Sequence, residues 1–136
     1  MTIPGHVIDS KALLRKSHVR PTRQRLVLAG LLFRGTNRHV TAEELHQEAH
    51  ACGFKMALAT VYNSLHSFTN AGLLREVVVD TGRRYFDTNV SHHHHLLREK
   101  TGELVDVDPG KLEVVGLSGL PRGTSVRQID IVVRIK

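Results

Sequence analysis

Near residue 74 the hydrophobic period of this chain changes from that of a helix to that of a strand, and few folds accommodate the change at that point. Before it, apolar residues recur at helical spacing in four segments. Ser10 is placed to cap a short helix through about Lys16, and Arg20-Pro21-Thr22 breaks the chain and starts a second helix that runs to about Arg34. Leu26, Val27, Leu28, Ala29, Leu31, Leu32 and Phe33 make that second helix apolar nearly all round, which predicts a place at the centre of a small bundle. A third helix opens at Thr41, whose hydroxyl and Glu44 form a capping-box pair, and stops at Gly53. The fourth spans roughly Leu58 to Ala71, with Gly72 as its stop.

After the change, Leu74 to Val79 and Arg83 to Phe86 read as strands joined by an Asp80-Thr81-Gly82 turn. Helices followed by a basic hairpin are the outline of a winged helix. Farther on, His93 to Arg98 and Glu103 to Val107 flank a Lys100-Thr101-Gly102 turn. The last strand alternates, with Ile129, Ile131, Val133 and Ile135 on one face. The expected fold is α+β: a winged-helix DNA-binding domain over 1–87, then a small α/β domain with an antiparallel sheet over 88–136. About 50 residues bury little core alone, so a second copy is expected to cover the apolar strand face as a homodimer.

Charge is unevenly placed. Residues 1 to 86 carry twelve Lys or Arg against six Asp or Glu, and residues 87 to 136 carry seven against seven. Lys11 to Arg38 holds eight basic residues and no acidic one, a field that attracts a polyanion or, more plainly, a solvated surface. No apolar run is long enough to span a membrane, and Met1 to Ser10 lacks a secretory pattern, so a cytoplasmic location is expected. Cys52 is the single cysteine, which rules out an intrachain disulfide and a four-cysteine structural zinc site.

The run His92-His93-His94-His95 reads as a sensing site, a fortuitous polar strand or a tag remnant; it is internal and leads straight into Leu96-Leu97. On a strand, His93 and His95 share one face and His92 and His94 the other. With Asp87 six residues upstream, nitrogen and carboxylate donors suit iron, manganese or zinc.

Four segments together resemble the ferric uptake regulator family: Arg20-Pro-Thr-Arg-Gln-Arg25, His39-Val-Thr-Ala-Glu-Glu-Leu45, Leu58-Ala-Thr-Val-Tyr62, and Tyr85-Phe-Asp87 ahead of the histidines. The segments from Tyr62 to Leu73, from Tyr85 to Ser91 and from Ile131 to Ile135 are most similar to its heme-responsive iron response regulator branch. That branch also lacks the family's Cys-x-x-Cys pair, whose positions hold Arg98 and Thr101 here.

The resemblance implies a regulatory divalent-metal site at His39, Asp87, His93 and His95, with Asp106 where some oxidant-sensing relatives place a ligand. His39 belongs to the DNA-binding part, so an ion joining it to the histidine run would fix the angle between domains. His92, His94 and Glu113 would supply a second metal site, or the two histidines axial ligands for heme. In the fourth helix, Thr60, Tyr62, Asn63 and His66 would read base edges, Tyr62 touching a thymine methyl or a phosphate and Asn63 an adenine. Arg20, Arg23, Arg25, Arg75, Arg83 and Arg84 would contact phosphates. A core aromatic is the plain alternative for Tyr62.

The partner implied is double-stranded DNA with an A·T-rich, pseudo-palindromic operator near iron or heme genes. In the iron response regulator branch DNA binding operates when iron is scarce and heme disables it. Two rivals stand beside a regulator: a cytoplasmic metal or heme buffer with an incidental basic patch, and a metal hydrolase. The hydrolase lacks an obvious general base beside its ligands.

Overall fold

The computed structural model describes residues 9–136; most of the Met1 to Ser10 segment, which lacks a secretory pattern, lies outside the described residues. The chain divides into two compact units, Met1–Val90 and Ser91–Lys136. The division falls three residues beyond the expected 87/88 boundary because backbone bonds tie the intervening segment to the first unit. Thr88 N donates to Arg38 O at 3.1 Å, Arg38 N donates to the Thr88 hydroxyl at 2.9 Å, and Asn89 N donates to Asp87 Oδ1 at 2.8 Å.

In the first unit, helices α1 (Ser10–Lys16), α2 (Arg23–Leu32), α3 (Ala42–Ala51) and α4 (Leu58–Asn70) precede a three-stranded antiparallel sheet of β1 (His39–Val40), β2 (Arg75–Asp80) and β3 (Arg83–Asp87), in the order β1-β3-β2. As expected from its composition, α2 packs against α1, α3 and α4. Leu28, Leu32, Leu45, Val61, Leu65, Phe68 and Phe86 are wholly buried in one cluster. Burying each such side chain contributes about 1.5–3 kcal/mol, enough to make the bundle a rigid support for what it displays.

The helix ends follow from local chemistry. Thr22 Oγ1 caps α2 by accepting from Arg25 N at 3.2 Å, and Thr41 Oγ1 caps α3 by accepting from Glu44 N at 3.1 Å. At α1 the cap is Asp9, which accepts from Ala12 N at 3.1 Å, and not Ser10, the first helical residue. A carboxylate one position earlier reaches the free amides of the first turn and also faces the positive end of the helix dipole. Helices α1, α3 and α4 all close with a paired reversal. Val19 N donates to Leu14 O, Phe54 N to Ala49 O and Leu73 N to Phe68 O, at 2.8, 2.9 and 2.9 Å. That reversal needs a left-handed residue, supplied by Gly53 and Gly72 in two cases and by His18, at φ 60°, in the first.

The second unit is a three-stranded sheet of β4 (His94–Arg98), β5 (Leu104–Val107) and β6 (Val132–Ile135), in the order β5-β4-β6, with a 3-10 turn at Pro109–Lys111. β4 and β5 pair antiparallel through the expected tight turn, but β6 lies parallel to β4. The physical reason is the hairpin: β5 ends beside the start of β4, at His94 opposite Val107, and residues 108–131 pass from there to the other edge of β4, so β6 sets out in the direction of β4. The regular strand is also shorter than the alternation predicts, beginning at Val132 and not at Ile129. Val114, Val115, Leu117, Leu120 and Val126, all in the crossover, are exposed.

Candidate functional site

Helix α4 and the β2/β3 hairpin border a groove of about 360 Å³ lined by Thr41, Glu43, Tyr62, His66, Gly82, Arg83 and Arg84. Of the four residues expected to read bases, Asn63 and His66 are exposed and Thr60 and Tyr62 are half-buried. Tyr62 and His66 stack with ring centroids 6.4 Å apart, and His66 meets Phe86 edge-on at 5.9 Å. The Tyr62 hydroxyl donates to Glu43 Oε1 at 2.9 Å. That bond to a carboxylate, with lesser desolvation, holds the phenol above its ordinary pKa and engages the hydroxyl that the sequence reading had offered to a phosphate.

The arginines separate into three kinds. Arg20 is exposed, and the exposed Arg23 sits 5.9 Å over the Phe54 ring. Arg25 is half-buried and bonded to Arg20 O and Ser67 Oγ at 3.0 and 3.2 Å. Arg83 is paired to Asp80 at 2.7 Å and Arg84 to Glu76 at 2.7 Å. Arg75 does not join the exposed set: it stands opposite Asp87 in the β2/β3 ladder, half-buried, with its Nε shielded from solvent. Sequence reasoning missed the acidic residues of this face, Glu43, Glu76 and Asp80. The hairpin register carries the signal for two: Glu76 is diagonal to Arg84, and Asp80 lies three residues before Arg83 across the turn.

Each unit also gathers possible metal ligands. In the first, β1 places His39 opposite Asp87, and His39 Nε2 lies 3.1 Å from the wholly buried Asp87 Oδ2. In the second, the antiparallel register sets Asp106 opposite His95, and Asp106 Oδ1 lies 3.1 Å from His93 Nε2 and 3.5 Å from His95 Nε2. The His93 and His95 rings meet at 4.6 Å, and one ligand atom from each of His93, His95 and Asp106 lies within 4.8 Å of the others.

The Nδ1 of His93 is 2.6 Å from Ser91 O. A carbonyl only accepts, so Nδ1 donates to Ser91 O, and this bond fixes the ring with its Nε2 facing Asp106. The two imidazoles and the carboxylate are nitrogen and oxygen donors of the type that suits a borderline divalent ion.

His92 and His94 pair on the opposite side of the strand, centroids 5.2 Å apart. His94 is buried, with its Nδ1 3.4 Å from Ile131 N, whereas His92 is exposed. Glu113 is exposed in the crossover, and among the described residues it forms no ligand group with them. The expected second site of these three is therefore not assembled, because the segment bearing Glu113 runs outside the sheet.

A winged helix whose α4–hairpin groove is rimmed with arginine, in a chain that also assembles imidazole and carboxylate donors, defines a class: metal-binding, DNA-binding regulators. The Ferric uptake regulator family profile matches residues 16–133. The chain is 34% identical over 114 residues to the peroxide-responsive repressor PerR of Staphylococcus epidermidis, covering 84% of this chain and 75% of that protein. It is 33% identical over 105 residues to PerR of Staphylococcus aureus, covering 77% and 70%. Among solved structures it is similar to the manganese-containing ferric uptake regulator of Pseudomonas aeruginosa, at TM-score 0.71 and 25% identity, over 95% of this chain and 98% of that one. The Vibrio cholerae ferric uptake regulator shares the fold at TM-score 0.73 and 22% identity, over 94% and 99%. This chain belongs to the ferric uptake regulator family. Members of that family are metal-responsive transcriptional regulators that bind DNA and act as dimers; they are not enzymes. No helix among the described residues is long and apolar enough to cross a membrane.

Proposed function

We propose that one divalent ion, iron, manganese or zinc, is held by His39, Asp87, His93, His95 and Asp106, and that its binding sets the affinity of a homodimer for an A·T-rich, pseudo-palindromic operator. The observation that carries this reading is the convergence of His93 Nε2 and His95 Nε2 on one Asp106 carboxylate oxygen, at 3.1 and 3.5 Å. The manganese of the Pseudomonas aeruginosa structure and the peroxide response of the staphylococcal relatives support a regulatory ion of this kind. An ion raises DNA affinity only as far as it binds the DNA-competent conformer better than the others. For the homodimer, the support is the exposed run of Val114, Val115, Leu117, Leu120 and Val126, an apolar surface of the kind a second copy covers.

The finer reading, membership in the heme-responsive iron response regulator branch, rests on the missing cysteine pairs and on His92, an exposed imidazole suited to axial ligation. Fluorescence anisotropy with promoter fragments of iron and heme genes tests both levels. Wild type should change its DNA affinity at least tenfold on adding manganese, and His93→Ala with His95→Ala should lose that response. His92→Ala should lose a heme Soret shift while keeping the manganese response. If no divalent ion changes the wild-type affinity, the regulatory assignment fails.

A further inference from the structure

Glu43 is the second residue of α3, and its backbone is fixed from both sides. Ala42 before it and Leu45 after it are buried in the core, and the Thr41 cap holds the first turn. From this anchored position its exposed carboxylate reaches across to α4, where Tyr62 follows the wholly buried Val61. The Tyr62 hydroxyl donates to Glu43 Oε1 at 2.9 Å, and the Tyr62 ring stacks on His66 with the two planes tilted by only 23°. His66 in turn meets the edge of Phe86, which is wholly buried. One tyrosine is thus held at its tip by α3 and along its face by an imidazole braced against β3.

We propose that Glu43 is a positioning residue of the DNA-reading face: it holds the Tyr62 hydroxyl so that the ring, and not the hydroxyl, is offered to DNA. This rests on the reading of α4 as the base-reading helix. The chemistry separates the two contacts open to a tyrosine. A phenol has one O–H to donate, and a phosphate oxygen is only an acceptor. With that hydrogen given to Glu43, the phenol oxygen presents lone pairs, and the carboxylate beside it repels a phosphate. What remains on offer is an apolar ring edge, whose complement in the major groove is a thymine methyl. A ring held in place before DNA arrives also loses less freedom on binding, so the contact keeps more of its worth.

Fluorescence anisotropy tests this on a duplex that the manganese-loaded wild type selects from a random pool, with its thymines replaced one at a time by deoxyuridine. Deoxyuridine lacks the methyl and leaves the backbone charge unchanged. Wild type should lose about fourfold in affinity at one thymine of each half-site, the worth of one buried methyl group. Tyr62→Ala and Glu43→Ala should both erase that loss, whereas Glu43→Gln, which keeps a carbonyl oxygen for the hydroxyl, should retain most of it. In a Tyr62→Phe background, Glu43→Ala should change nothing further. Ultraviolet titration reads the bond without DNA: the Tyr62 phenol, identified by its absence from Tyr62→Phe, should ionise at lower pH in Glu43→Ala. Full thymine discrimination by Glu43→Ala, with the titration shifted, overturns the positioning role and leaves α4 as the reader. An unshifted titration overturns the bond itself. Discrimination that survives Tyr62→Ala overturns the assignment of Tyr62 to the bases, and the proposal with it.

Discussion

Glu76→Gln should make this protein bind DNA more tightly, although it removes a salt bridge. Arg84 Nη1 lies 2.7 Å from Glu76 Oε1, with 56% of the arginine side chain and 21% of the glutamate side chain exposed. A pair this accessible is worth about 0.2–1 kcal/mol. Arg84 must give up that pairing to meet a phosphate, and the carboxylate left behind then repels the same phosphate. Neutralising Glu76 in both subunits of a dimer should recover roughly 0.4–2 kcal/mol, a gain in affinity of about 2- to 30-fold. Phosphate contacts carry no sequence information, so operator and unrelated duplexes should gain alike. Fluorescence anisotropy across a salt series is the assay. The logarithm of affinity should fall more steeply with the logarithm of salt, by up to about 1.8 for two added phosphate contacts. Tyr62→Ala is the contrast, with a loss concentrated on the operator. Unchanged or weaker binding by Glu76→Gln, or a gain confined to one sequence, would refute the assignment of Arg84 to the DNA backbone.

Two further predictions concern the support beneath that face. Arg38 grips Glu48 at 2.9 and 2.6 Å and also donates to Leu31 O at 3.1 Å, and the bond to Arg38 holds the Glu48 carboxyl below its ordinary pKa. A group whose folded pKa is lowered adds stability above its unfolded pKa and loses it as pH falls through the folded value. Glu48→Gln should thus cost about 1–2 kcal/mol at pH 7, between a surface and a buried pair, and the deficit should shrink below about pH 4; urea melts at both pH values check it. His18→Gly should raise stability by about 1 kcal/mol, since only the non-glycine side chain opposes the left-handed backbone there. A thermal melt that falls instead would show that the imidazole makes a contact worth more than the backbone strain.

Much of the fold was legible because its signals are local. Thr22, Thr41, Gly53 and Gly72 mark helix ends through chemistry within a few residues, and the alternation of the histidine run already separates His93 and His95 from His92 and His94. The parallel placement of β6 was not legible, because it depends on how residues 108–131 cross the sheet and leaves no trace in the period of the strand itself. Asp106 was named through resemblance, whereas its reach to both imidazoles comes from the β4/β5 register. The opposing acids Glu43, Glu76 and Asp80 were missed because net charge averages over the pairs that decide which arginines are available.

β1 is only two residues long and pairs with the sheet on one side, yet it delivers His39 to Asp87. A strand this short can detach in a local opening far cheaper than global unfolding, so amide exchange at Val40 should be faster than at Tyr85 in the middle of β3. Such an opening would part His39 from Asp87 while the bundle remains intact. For the ion proposed at His39 and Asp87, arrival and departure would then follow the fraying rate of one edge strand, a kinetic property tunable by substitutions at Val40 that never touch a ligand.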